Sequence, residues 1–473
     1  MATFLRHIQQ FRQSAEQRLP PRLHGLLVSA ALIGLCALGY HLRRPSISLT
    51  PTLYAEDGSV FLQQAIDQGA GSLLQLYAGY SHLLQRITAF TSVNLLSPLA
   101  YPRFFLMVAW VSWLLPLICV EALIGSGVFG RLMRVAYIPY VFYPYAGETY
   151  LNLPNAYIFF PLGFILIAYG AVARQGSGRP EPPWPAALRG LLFLYGLVAA
   201  FTGPFMAIYT IPLLIFDGLR RRRLPLRPLW LSLPVLLSSL QLYFSQLQTT
   251  YPLSTAEALR TLLARPALLL DWFTVHLIAP LLGGYKPWWL LRGLPDPLQL
   301  LAVLVALALV LLALRVVTGH MRQPALLLLA IASTMVLSLS SLLVATRRGV
   351  DPEQMVIEDA GGRFFYWNTV LFLSVLLIAF VLLVRERRSR RSTACRAMAV
   401  WLVLTLVFYH NNVVPRPIEV MTPSGEMRTL DYAEQLGEQC RWPHPKLTHI
   451  YGGPMWSFQL GERQMARLCS VPS

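Results

Sequence analysis

The chain has 473 residues, of which 55% are hydrophobic and 13% charged, and its mean hydropathy is +0.51. A soluble domain of this size could not bury so much apolar surface, so the composition excludes a soluble globular protein and predicts a membrane protein with several spans. The formal net charge is +17, from 39 Lys and Arg against 22 Asp and Glu.

Apolar runs of roughly 16 to 22 residues recur along the chain, close to the length that crosses a ~30 Å hydrocarbon core. The first run follows a basic segment and has no small-residue cleavage site after it, which predicts an uncleaved span rather than a signal peptide. We therefore predict an all-α polytopic membrane protein with about 11 transmembrane helices. Their predicted ranges are 23–41, 104–125, 132–147, 154–171, 187–202, 204–219, 229–245, 298–315, 324–344, 364–384 and 397–414.

The charges are divided unequally between the two sides that this order of spans defines. Arg and Lys dominate the short segments on one side, most densely at 220–223 and 385–391, whereas most acids lie on the other side. This pattern is the positive-inside signature, which places residues 1–22 in the cytoplasm and 415–473 outside it. It accounts for the basic charge without nucleic acid, so we predict no nucleic-acid partner. Usage rich in Arg and poor in Lys is typical of GC-rich bacterial genomes and indicates a bacterial inner membrane.

The transmembrane domain, 23–414, carries its polar mass on the outer side. The first periplasmic loop, 42–103, contains apolar and aromatic stretches between its charges, and the later loop 246–297 mixes tryptophans with charges. Both patterns are typical of helices that lie in the membrane interface. No cytosolic domain is evident that could use a soluble nucleotide.

Residues 187–219 form an apolar run too long for one span. Thr202, Gly203 and Pro204 interrupt it, which predicts two helices that meet within the membrane, where such breaks are tolerated against protein or a cavity. No duplication relates the two halves of the chain, which weighs against a transporter built from inverted repeats.

Two of the five cysteines, Cys440 and Cys469, fall in the periplasmic C-terminal segment. An oxidising compartment would allow a disulfide between them, and two free thiols are the alternative. No Cys or His spacing typical of a metal site occurs, so we predict no metal ligands.

The most informative residues are two adjacent carboxylates, Glu56 and Asp57, directly after the first span. With the interfacial helices, the many spans and the outer C-terminal segment, this acidic pair resembles the glycosyltransferase C superfamily, integral membrane enzymes that use polyprenyl-phosphate sugars. The local strings similar to an uncharacterised bacterial branch are Tyr54-Ala55-Glu56-Asp57-Gly58, Tyr77-Ala78-Gly79-Tyr80, Gly147-Glu148-Thr149, Thr202-Gly203-Pro204-Phe205 and Gly361-Gly362-Arg363-Phe364.

The resemblance implies an inverting transfer in the periplasm. A carboxylate takes the proton of the acceptor hydroxyl while that oxygen attacks the anomeric carbon, and such a base must lie within ~2.6–3.2 Å of the oxygen. Asp57 is the first choice for the base and Glu56 the second. The alternative is that both carboxylates only solvate a helix end near Arg43 and Arg44.

The predicted substrate-binding residues share the outer face. Glu148, with Asn155 nearby, is predicted to line a sugar pocket, and the alternative for Glu148 is an exposed loop acid. Arg363 and Lys286 are predicted to contact the donor phosphate, although snorkelling and aromatic-belt anchoring would also explain them. His276 and His82 are weaker candidates, because a lone histidine near an interface is more often structural.

Two further arginines of the first loop, Arg86 and Arg103, are predicted to pair with the acids and lower their pKa values.

The predicted function is transfer of a single sugar from a polyprenyl-phosphate carrier to O-antigen or another surface glycan, to lipid A, or to a pilin or secreted protein. The predicted partners are this lipid-linked donor, a glycan, lipid or protein acceptor, and membrane lipids. No cofactor is predicted, since the lipid-linked sugar is a substrate, and dependence on a divalent metal is left open. The alternatives are an O-antigen polymerase or ligase, and a lipid-linked sugar flippase or transporter. A transporter would need ionisable groups within spans, where Glu121 is almost alone.

Overall fold

A computed structural model describes most of the transmembrane domain and parts of the C-terminal segment. The described residues are 21–43, 53, 56–77, 80–127, 129–142, 153–176, 186–203, 205–221, 229–248, 251–274, 295–350, 362–385, 419–421, 427–429, 435–436, 440, 447–449 and 457–469.

The described part of the chain is mainly helical. Its α-helices are α1 (Pro21–Arg43), α2 (Gln63–Gln68), α3 (Leu83–Leu95), α4 (Tyr101–Gly125), α5 (Tyr137–Val141), α6 (Ala156–Gly176), α7 (Ala186–Thr202), α8 (Phe205–Arg221), α9 (Leu229–Gln248), α10 (Thr255–Leu263), α11 (Pro266–Phe273), α12 (Asp296–His320), α13 (Pro324–Arg347), α14 (Gly362–Arg385) and α15 (Glu462–Cys469). Short 3-10 segments cover Gly69–Leu74, Pro98–Ala100 and Arg131–Ala136.

Within the described residues, five helices are long and apolar enough to cross a membrane: α1, α4, α6, α12 and α13. A sixth candidate is the pair α7 and α8, whose axes differ by 118° across the break at Gly203. The predicted interruption of the apolar run is therefore present. Shorter apolar stretches within α9 and α14 fall on two more of the predicted spans.

The predicted count of 11 spans stays a prediction, and one of its members differs from the structure. In place of a single helix from residue 132, Arg131–Ala136 forms a 3-10 segment and α5 follows with only five residues. Tertiary contacts attach these residues to α4, since the Tyr137 hydroxyl donates to Glu121 and the Tyr140 hydroxyl donates to the Trp113 carbonyl. The predicted span 397–414 lies outside the described residues.

The larger core lies between the long helices. α4 packs against α6, α7 against α9, and α12 against α14. Trp113, Phe164 and Met206 are fully buried there. At Gly196 a Cβ atom would lie 2.8 Å from the Pro234 ring, so glycine permits the close approach of α7 and α9.

A second, smaller core joins the first loop between predicted spans, 42–103, to the C-terminal segment. Phe61, Leu62 and Val93 from the loop are buried together with Leu460 and Leu468 from the segment. This core lies at the ends of α4 and α6, beside the larger one.

The C-terminal segment adds short strands to an otherwise helical fold. β1 (Glu419–Met421) pairs antiparallel with β2 (Met427–Thr429), and β3 (Leu447–His449) pairs antiparallel with β4 (Ser457–Gln459). The predicted disulfide between Cys440 and Cys469 is confirmed, with the two Cα atoms 5.5 Å apart.

Candidate functional site

The acidic pair lies at the start of a short helix in the first loop. Asp57–Leu62 forms a π-helical turn that continues directly into α2, and we call residues 57–68 the acidic-pair helix. Phe61 and Leu62 anchor this helix in the smaller core. Single π-helical turns are rare and are frequent at functional sites, because the wider turn changes the direction of the side chains around it.

The two carboxylates differ in their exposure. Asp57 is 1% exposed, whereas Glu56 is partly exposed. Within the part of the chain that the structure describes, the Glu56 carboxylate accepts one hydrogen bond, from the Tyr77 hydroxyl to Oε1 at 3.4 Å. That is a long contact, so Glu56 keeps most of its lone pairs available for a substrate.

His82 lies beside the acidic-pair helix in an uncommon backbone conformation. Its φ of 50° falls in the left-handed region, which a residue other than glycine adopts only when its surroundings hold it there. Its buried ring lies 5.6 Å from the Phe61 ring, 5.7 Å from Tyr77 and 5.6 Å from Tyr157, measured between centroids. Because Tyr77 also binds Glu56, the predicted residue His82 belongs to the surroundings of the acidic pair.

The segment Tyr77–Tyr80 forms a tight turn. The backbone N–H of each tyrosine donates to the carbonyl of the other, at 2.8 and 2.9 Å. Burial, more than the neighbouring charges, raises the pKa of Tyr80 to about 12. Its phenol is therefore neutral at any physiological pH.

The buried Arg86 side chain connects three parts of the first loop through hydrogen bonds. Its side chain is 1% exposed, and its guanidinium donates to the Ser81 carbonyl (2.7 Å), to Gln64 Oε1 (2.7 Å) and to the Ser72 carbonyl (2.8 Å). Desolvation lowers its pKa to about 10, so it remains a cation at neutral pH. The prediction that Arg86 pairs with the acids is wrong, because its charge is used by carbonyl oxygens instead.

Arg103 also differs from prediction. It is exposed at the start of α4 and forms no ion pair with the described residues.

The broken helix pair reaches the same site through Tyr157. The Tyr157 ring stacks on Phe205 with the centroids 5.2 Å apart and an interplanar angle of 17°. A Cβ atom at Gly203 would lie 3.0 Å from Tyr157 Cβ, so the break packs directly against this tyrosine. The structure thus brings together three strings that are far apart in sequence, those around Asp57, Tyr77 and Gly203.

Asn155 precedes α6, two residues before Tyr157, and is 1% exposed. Nearby, Gln85 of α3 donates to the carbonyl oxygens of Leu153 and Pro154, both at 3.2 Å. Gln85 was not predicted from sequence, yet it attaches the first loop to the segment that carries Asn155.

The remaining predicted residues are not placed beside this site. Glu148, His276 and Lys286 lie outside the described residues, and Arg363 lies in the first turn of α14 with its side chain outside them. Within the described residues, no group of three or more His, Cys, Asp or Glu side chains could hold a metal ion.

A basic and aromatic contact that the sequence did not predict lies at the C-terminal end of α13. The Arg347 guanidinium lies 3.8 Å from the centroid of the Tyr251 ring, and the Leu253 N–H donates to the Arg347 carbonyl at 3.1 Å. The exposed Arg348 follows, and its charge acts on Tyr80. The doublet of arginines at a helix end next to Gly349 is the signal that could have identified it.

Comparison of the chain with protein-family models, with curated proteins and with solved structures finds no match.

Proposed function

We propose that the protein is an inverting glycosyltransferase that moves a single sugar from a polyprenyl-phosphate carrier to a periplasmic acceptor. The observation that carries the proposal is the convergence of two carboxylates, a histidine and several tyrosines at the end of a bundle of membrane-length helices. A lipid-linked donor requires such a site, because its sugar lies at the membrane surface while its chain stays among the lipids.

The first chemical role is that of the base. In this structure Glu56 is the accessible carboxylate and Asp57 the buried one, which favours Glu56 as the group that meets the acceptor and reverses the order predicted from sequence. The proton of the acceptor hydroxyl passes to a Glu56 oxygen, and the hydroxyl oxygen bonds to the anomeric carbon. The bond from that carbon to the phosphate oxygen breaks, and polyprenyl phosphate leaves with its electron pair. General-base catalysis of this kind contributes about 10²–10⁴-fold.

The second role is to bind the sugar. Tyr77 binds Glu56, its ring lies beside His82, and the His82 ring lies beside Tyr157. Tyr80 supplies a phenol that stays protonated. Rings of this kind contact the apolar faces of sugars, while hydroxyl and carboxylate groups fix their orientation.

The proposed site faces the periplasm of a bacterial inner membrane, with the N-terminus in the cytoplasm. The positive-inside distribution of Arg supports this orientation. Surface glycans, lipid A and exported proteins are the acceptors available on that side.

The test is complementation of a knockout in the native host, read by mass spectrometry of surface glycans, lipid A and pili. We expect Glu56→Gln and Asp57→Asn to leave the missing sugar unrestored at normal membrane levels. The matched control is Asp67→Asn, an exposed acid of the same helix that accepts a hydrogen bond from Gln63 at 2.9 Å. Full activity of both site variants would refute the proposal, and loss in only one would identify the base.

A further inference from the structure

We infer that the C-terminal segment is a disulfide-closed clamp that holds the acidic-pair helix in place. The C-terminal clamp is defined here as the described residues 435–436, 440 and 457–469. The inference goes beyond the proposed function, since it concerns how the first loop is held whatever reaction that loop performs.

Polar contacts attach the clamp to the first loop at two points. The Gln459 N–H donates to Gln63 Oε1 at 2.7 Å, six residues beyond Asp57. Arg467 of α15 donates from Nη1 to the Val93 carbonyl of α3 at 2.9 Å. The clamp therefore grips both helices of the loop rather than one of them.

Apolar contacts fill the space between these two points. Leu436 and Leu460 are fully buried and Leu468 is 5% exposed, all in the core that contains Phe61 and Leu62 of the acidic-pair helix. Phe61 and Leu62 lie within two turns of Asp57. Movement of the clamp would therefore shift this helix and displace the Asp57 carboxylate. Burying three leucines is worth several kcal/mol, which is enough to decide where a short loop helix rests.

The disulfide closes the clamp. It joins Cys469, the last residue of α15, to Cys440, close to Leu436 in sequence, so that both buried ends of the clamp are covalently linked. Both cysteines are exposed, and the bond is therefore accessible to a reductant. Its formation takes two protons and two electrons from the thiols, and the acceptor is the disulfide of a thiol oxidant, which becomes a dithiol.

The contacts of the clamp with the first loop also constrain the membrane topology. The first loop and the clamp pack together, so they lie on the same side of the membrane and an even number of spans separates them. The predicted arrangement has this parity. A disulfide persists in an oxidising compartment, which agrees with the periplasmic side.

The test is hydrogen exchange of the full-length protein in detergent, oxidised and then reduced with dithiothreitol. Reduction should raise the exchange rate of residues 57–68 and 83–95 by roughly tenfold, while α6 stays unchanged. A Cys36→Ser/Cys119→Ser variant, which lacks only the free thiols of the described spans, should respond in the same way. Unchanged exchange of the first loop after verified reduction would overturn the inference.

A second pair of variants tests the clamp without touching the disulfide. Arg467→Ala should raise exchange at 83–95, whereas Arg463→Ala, exposed on the same helix, should not. Equal effects of the two variants would count against the clamp. Since exchange requires no substrate, these results are independent of whether the glycosyltransferase proposal succeeds.

Discussion

Two carboxylate clusters lie at opposite ends of α4, one buried around Glu121 and one partly exposed around Glu56, and their hydrogen bonding differs. Near the end of α4, Glu121 is 5% exposed and accepts four hydrogen bonds. Arg134 donates to it from Nε at 2.9 Å and from Nη2 at 2.7 Å, the Tyr137 hydroxyl donates at 2.8 Å, and Ser29 of α1 donates at 2.6 Å.

At the other end, Glu56 accepts a single long hydrogen bond from the residues that the structure describes, and its donor Tyr77 lies beside the His82 ring. A carboxylate whose lone pairs are all used, as in Glu121, holds helices together but cannot take a proton from a substrate. Glu56 has lone pairs to spare. The comparison separates an acid whose bonds are structural from one that is free for the proposed chemistry, and the bonds of Glu121 account for the within-span acid that would have favoured transport.

The largest expected effect on stability comes from a substitution that removes hydrogen bonds to Glu121. Arg134→Ala leaves Glu121 charged and buried, which should lower the free energy of unfolding by about 3 kcal/mol, since the Arg134 side chain is 24% exposed and part of the charge can still be hydrated. Unfolding in detergent with a denaturant measures this. Arg131→Ala, exposed in the same 3-10 segment, is the control and should be neutral. If Glu121→Gln/Arg134→Met is as unstable as Arg134→Ala, the uncompensated charge is not the cause.

A smaller loss of stability is expected for a substitution of Arg86, whose buried guanidinium binds several segments of the first loop. Arg86→Lys keeps the charge but replaces a three-bond guanidinium with an ammonium that reaches fewer carbonyls, and we expect a loss of about 2 kcal/mol. Arg103→Lys on the exposed start of α4 should be neutral in the same unfolding measurement. Equal stability of both variants would mean that the bonds of Arg86 contribute little.

The contact between the broken helices and the site should be sensitive to one methyl group. Gly203→Ala places a Cβ atom 3.0 Å from Tyr157, so we expect a loss of about 1–2 kcal/mol and lower activity through displacement of that ring. Gly34→Ala in α1 meets nothing within 4 Å and should be neutral or slightly stabilising. A stable, fully active Gly203→Ala variant would show that Tyr157 can move without consequence.

The smallest effect on stability is expected for a substitution of Glu56. Glu56→Gln removes one long hydrogen bond at a partly exposed position, and it should change the free energy of unfolding by less than about 0.5 kcal/mol. The same change should abolish sugar transfer. A destabilisation as large as that of Arg134→Ala would show that Glu56, like Glu121, has a structural role.

Features encoded by neighbouring residues were predictable from the sequence. The long apolar runs predicted α1, α4 and α6, the break at Gly203 predicted the bent pair, and two cysteines in the same C-terminal segment predicted the disulfide. Features that depend on distant contacts were not. Arg86 binds carbonyl oxygens in place of acids, and the left-handed His82 is held by three rings from other segments.

The prediction of one continuous helix from residue 132 was wrong for the same reason. Its side chains are bound to α4, and nothing in their local pattern reports those partners.

The contact between Gln63 and Gln459 joins residues that are 396 positions apart, and this separation has a consequence for biosynthesis. The first loop is synthesised long before the C-terminal residues that pack against it. The smaller core that supports the acidic pair is therefore complete only after the helices between the two segments have been synthesised. A chain that stalls part-way through translation would therefore present a first loop without the C-terminal part of its core.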